Sequence, residues 1–63
     1  MQIRSFLRRN HLTVVWLREQ LVRRGYDPEI SHLHRIIDGE RNSDEALEIR
    51  REAEAICQKY SNL

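Results

Sequence analysis

Three residues that break helices, Gly25, Pro28 and Gly39, divide this 63-residue chain into segments whose apolar residues recur with helical period. The spacing predicts a first helix over residues 2–9, with Ile3, Phe6 and Leu7 on one face and Arg4 and Arg8 pointing away. Asn10 is expected to take the left-handed conformation that ends it. A second helix over 13–24 has Thr13 as its N-cap and a stripe of Val14, Leu17 and Leu21, and Gly25 closes it. Asp27-Pro28-Glu29 then reads as a helix start. Aspartate caps the first amides, proline suits the first helical position, and glutamate complements the positive end of the helix dipole. The third helix, 28–37, is expected to bury Ile30, Leu33 and Ile37, with Ile36 at the edge of that face, and Gly39 ends it. Asn42 or Ser43 begins the last helix, where Asn42 with Glu45 would make a capping box. Its stripe is Ala46, Ile49, Ala53, Ile56, Cys57 and Tyr60. No segment alternates as a strand does, so the chain reads as all-α, a single four-helix domain over residues 1–63.

Size and composition narrow what such a domain does. So short a chain lies near the lower limit for a self-sufficient core, and a catalytic cleft with its supporting shell is hard to fit. No nucleophile–base pair or carboxylate dyad stands out, and we expect a binding module without a cofactor or small-molecule ligand, not an enzyme. No apolar run approaches the roughly 18 residues of a membrane span. The start, Met1-Gln2-Ile3-Arg4, lacks the apolar stretch of a signal peptide, which predicts a cytoplasmic protein. The one cysteine, Cys57, offers no internal disulfide or zinc framework and reads as a small core residue. His32 and His34 would point about 200° apart on a helix, so they do not form a metal pair.

The net charge of +1 conceals an asymmetry. Residues 1–24 carry six arginines against Glu19 alone, giving +5, whereas residues 25–63 carry five basic and nine acidic residues, giving −4. Such a division suggests a basic face for an anion such as double-stranded DNA. Ten of the eleven basic residues are arginine, which favours bidentate contact with phosphate or guanine.

Four short helices with these caps suggest a helix-turn-helix, with residues 13–24 and 28–37 as the pair. Leu12-Thr13 followed by Trp16-Leu17-Arg18-Glu19-Gln20-Leu21 resembles the second helix of the Cro/C1-type (XRE) regulators, whose pattern opens Leu-Thr-Gln and continues Leu-Ala-Glu-x-Leu. Leu33-His34-Arg35-Ile36-Ile37-Asp38-Gly39-Glu40-Arg41 resembles the end of their recognition helix, Ile-Ser-Arg-Ile-x-x-Gly-x-Arg. The chain is also similar to short regulator-like proteins of phages and mobile elements, in which a Val-Trp-Leu helix precedes a longer turn. The resemblance covers residues 1 to about 57 and implies a lambda-repressor-like fold and a transcriptional regulator. Three positions depart from the pattern. Val14 replaces the glutamine that helps anchor a phosphate, and Arg18 replaces the small alanine that lets the helices approach. From Leu21 to Leu33 the chain runs about five residues beyond the family's spacing, which lengthens the turn.

On a wheel with Ile30, Leu33 and Ile37 inward, Pro28, Ser31, His32 and Arg35 face outward. Arg35 is the candidate for a guanine edge or a phosphate, and Ser31 and His32 for further hydrogen bonds. By resemblance, Arg41 and Asn42 sit where family members touch the DNA backbone. The amides near Thr13 are placed to hold a phosphate. Trp16 lies off the Val14–Leu17–Leu21 stripe. It is expected either to pack under the lengthened turn against Tyr26 or to anchor a protein interface. Leu47 lies opposite the main stripe of the last helix, and exposure of both would favour a homodimer. The alternative to DNA binding is a protein-interaction module, such as an anti-repressor or adaptor, that keeps the fold without the DNA contacts. Val14, Glu29 and the apolar Trp16 favour that alternative.

Overall fold

The computed structural model describes residues 1–62 and is all-helical, with no strand among them. The helices are α1 (Ile3–Arg9), α2 (Val14–Arg23), α3 (Ile30–Ile37) and α4 (Asp44–Ser61). The three short helices pack around the longer α4, whose buried stripe of Ala46, Ile49, Ala53, Ile56 and Cys57 follows the expected period. Facing it are Ile3, Phe6 and Leu7 from α1, Val14, Leu17 and Leu21 from α2, and Leu33 and Ile36 from α3. No polar or charged residue is buried among them. Tyr60, read as the last residue of the stripe, lies at its edge and is 36% exposed.

The first three helices end in the same way. In each, the N–H of the second residue past the cap reaches back to a carbonyl five residues earlier, and its predecessor closes a three-residue span inside it. At α2 these are Tyr26 N–H to Leu21 O and Gly25 N–H to Val22 O, both 3.0 Å. At α3, Glu40 N–H donates to Arg35 O at 2.9 Å and Gly39 N–H to Ile36 O at 3.1 Å. The motif needs a left-handed residue in its middle, supplied by Gly25 at φ 93° and Gly39 at φ 81°. At α1 that residue is His11, at φ 56°, and not Asn10 as expected. Asn10 keeps φ −100° and uses its side chain instead, Nδ2 donating to Phe6 O at 2.9 Å.

Two helix starts also differ from expectation. The Ser43 hydroxyl caps α4, accepting from Ala46 N–H at 3.2 Å, so Asn42 and Glu45 form no capping box. α3 begins at Ile30 with Glu29 at the N-cap position and no side-chain cap. Asp27 caps nothing, and Pro28 is buried ahead of the helix instead of facing outward within it. The cause lies on α2. Arg18 Nε donates to Pro28 O at 2.8 Å and Nη2 to Asp27 Oδ1 at 2.6 Å, which holds both residues in the connection. Arg18, where a small residue was expected, thus anchors the six-residue link Arg24–Glu29 between the two helices.

Candidate nucleic-acid interface

The outward face of α3 follows from which residues it buries. Leu33 and Ile36 are fully buried, whereas Ile30 and Ile37 are only partly covered, so Ile36 is central and not marginal. This turns the helix by about 60° from the wheel drawn on Ile30, Leu33 and Ile37. Ser31 and Arg35 stay outward and exposed, His32 moves to the half-buried flank, and His34 joins the exposed face. His34 escaped the sequence reading because a wheel built on Ile30, Leu33 and Ile37 centres on their mean, and only packing shows that Leu33 and Ile36 lie deepest.

Arg35 makes no hydrogen bond or ion pair through its side chain among the described residues. Ser31 is engaged, its hydroxyl donating to the Glu29 carboxylate at the start of the helix. Arg41 and Asn42 are exposed beyond Gly39, on a loop that Arg50 of α4 fixes from beneath. Arg50 Nε donates to Ile36 O at 3.1 Å, and its Nη2 donates to Arg41 O at 3.1 Å and Asn42 Oδ1 at 3.4 Å. The Arg41 guanidinium makes no ion pair among the described residues.

Thr13 caps α2, its hydroxyl accepting from Trp16 N–H at 3.0 Å. It lines a shallow cleft of about 270 Å³ that also takes in Arg4 and Arg8 of α1. Arg4 reaches across to α3, where Nε and Nη2 donate to the two Asp38 carboxylate oxygens at 2.8 and 3.0 Å. Its Nη2 also lies 3.1 Å from His34 Nδ1, and because a guanidinium only donates, that nitrogen accepts. The α2 start and the outward face of α3 therefore border the same arginine. Arg8, exposed and without an ion pair among the described residues, lies beside them and was not singled out from the sequence. Its signal there was the exposed pair Arg8-Arg9 opposite the apolar face of α1.

The charge division closes partly on itself. Arg4–Asp38, Arg18–Asp27 and Arg24–Glu52, the ion pairs among the described residues, each join an arginine from residues 1–24 to an acid from residues 25–63. The Arg4 guanidinium holds the Asp38 carboxyl below its usual range, and the same bond raises the pKa of Arg4. Arg8, Arg9 and Arg23 of the basic half make no ion pair among the described residues.

The two proposed interface residues part company. Trp16 is half-buried and meets Tyr60 edge-on, with ring centroids 5.5 Å apart, while Tyr26 turns its hydroxyl to Glu48 at 3.0 Å. The expected Trp16–Tyr26 packing is thus replaced by a contact with the end of α4. Leu47 is 39% exposed. Cys57 is fully buried, and burial pushes its thiol up to about 11, with Glu54 adding to the rise. Among the described residues no group of histidine, cysteine and acidic side chains is placed to hold a metal, and no helix is long and apolar enough to cross a membrane. Compared with family models, curated proteins and solved structures, the chain matches none.

Proposed function

We propose that the chain is a cytoplasmic DNA-binding regulator, of the kind carried by phages and mobile elements, in which α2 and α3 act as a helix-turn-helix and α3 reads the major groove. The observation that carries this reading is Arg35, exposed on the outward face of α3 with no side-chain partner among the described residues, while three other arginines are held in ion pairs. Eight helical residues span about 12 Å, a length that suits a groove about 12 Å wide. In this reading Arg35 takes a guanine edge or a phosphate, and Ser31 and His34 lie beside it. Arg41, Asn42 and the amides after Thr13 position the backbone, and Arg8 adds a further phosphate contact. The net charge is only +1, so a monomer binds weakly and a homodimer on paired half-sites supplies useful affinity.

Fluorescence anisotropy with a mixed-sequence duplex at two salt concentrations tests it. The expected result is binding that weakens steeply with salt, with a salt slope reduced by about one unit in Arg8→Ala. Arg35→Ala should weaken binding by roughly tenfold. No binding at low salt with protein at about 10⁻⁴ M would overturn the reading. That outcome would favour the second reading, a protein-interaction module. It is supported by the Glu29 carboxylate on Ser31, which puts negative charge at the leading end of α3.

A further inference from the structure

On the side of α2 that faces α4, away from the Arg18 clamp, lies a groove of about 230 Å³. Ile56 is its floor, Trp16 and Tyr60 meet edge-on in its wall, and Gln20, Arg23 and Lys59 stand around its rim. Tyr60 is held from behind by Phe6, whose ring lies 6.0 Å away at 87°. The aromatic wall is thus braced against the core. The groove is smaller than the roughly 300–1,000 Å³ of small-molecule sites and is of the size that takes one apolar side chain.

Its charge is one-sided. No acidic residue lines it, and Arg23 and Lys59 make no ion pair among the described residues. Arg24, also at its edge, is bound to Glu52 of α4 at 3.3 Å. A second copy of the chain is a poor occupant. An isologous contact would set this patch against its own copy, bringing the Arg23 and Lys59 rims of the two chains together, and like charges oppose it. Duplex DNA would satisfy the cations but leave the ring wall and the Ile56 floor without an apolar partner.

We infer that this groove docks an acidic peptide segment of a protein partner, with one aromatic or aliphatic side chain seated between Trp16, Tyr60 and Ile56 and flanking carboxylates on Arg23 and Lys59. The site lies apart from the outward face of α3 and does not rest on the DNA reading. Aromatic residues and arginine are the side chains that most often anchor such contacts. An exposed cationic rim chiefly sets the rate and selectivity of encounter, while the apolar anchor supplies the affinity.

Trp16 is the only tryptophan in the chain, so its emission reports the groove directly. The probe is a short synthetic peptide of glutamate and alanine with one central phenylalanine, titrated into the full chain. The expected result is a saturable change in Trp16 emission. It should be roughly tenfold weaker when the peptide's glutamates become lysines, when its phenylalanine becomes serine, or in the variant carrying Arg23→Glu and Lys59→Glu. Both replaced side chains are exposed, and circular dichroism checks that the variant stays helical. Arg35→Ala should bind the peptide unchanged. The inference is overturned by an unsaturable response, by equal responses to the acidic and basic peptides, or by duplex DNA displacing the peptide. It is also overturned if emission shifts with protein concentration alone, which would make a second copy the occupant.

Discussion

Arg18 shows how one side chain can change the meaning of the residues around it. At 37% side-chain exposure against 79% for Asp27, the ion pair between them is mostly solvated and contributes under about 0.5 kcal/mol. The bond from Arg18 Nε to the carbonyl of buried Pro28 is different, because that oxygen loses its partner in a place water reaches poorly. A charge-assisted bond of this kind is worth about 1.5 kcal/mol. Arg18→Ala should therefore cost about 1.5 kcal/mol and Asp27→Ala under about 0.5 kcal/mol in urea unfolding, with unchanged helical content in both. Equal losses would mean that the ion pair, and not the carbonyl bond, holds the link between α2 and α3.

Among the elements, the ends of helices were more legible in the sequence than their beginnings. Gly25 and Gly39 mark the ends of α2 and α3 because their left-handed φ is a local property, visible in a single residue type. His11 was missed at the end of α1 because Asn10 is the commoner choice for that conformation, and it was drawn off to bond Phe6 O. The start of α3 misled for a non-local reason. Asp27-Pro28-Glu29 satisfies every local start rule, yet Arg18, ten residues before Pro28, claims the first two of these residues. Of the candidate site, Thr13, Ser31, Arg35, Arg41 and Asn42 stay exposed, because hydrophobic period alone separates the inner from the outer face. His34 and Arg8 could not be ranked without knowing which apolar residues lie deepest and where α1 meets α3. The Ser43 cap gives a prediction at this scale. Ser43→Ala leaves an amide of α4 without its acceptor and should cost about 1 kcal/mol, a fall of about 4–8 °C in Tm by thermal unfolding. Asn42→Ala should leave Tm almost unchanged, since Asn42 caps nothing.

For the whole molecule, the division of charge along the chain is partly an instruction for folding. The basic first part and the acidic second part meet in three ion pairs, so much of the positive field suggested by residues 1–24 is spent internally. Of these pairs, Arg4–Asp38 spans the longest stretch of sequence and ties α1 to the end of α3. The bond lowers the Asp38 pKa below its ordinary 3.8, and His34 facing the pair acts in the same direction. A carboxyl whose pKa is depressed by folding adds stability that is fully present above its unfolded value and is lost as pH falls through the folded value. The bond also raises the pKa of Arg4, which stays charged across the acid and neutral range, so its own titration does not shape the acid limb. Asp38→Asn should therefore be less stable than the parent in urea unfolding at about pH 6, and the two curves should converge as pH falls below about 3. Both partners are more than a third exposed, so about 1 M salt should also narrow the difference at pH 6. If the difference persisted unchanged at low pH, Asp38 would be acting through the shape of the helix end and not through its charge. The join between α1 and the end of α3 would then depend on the neutral packing of the shared core instead of on this clasp.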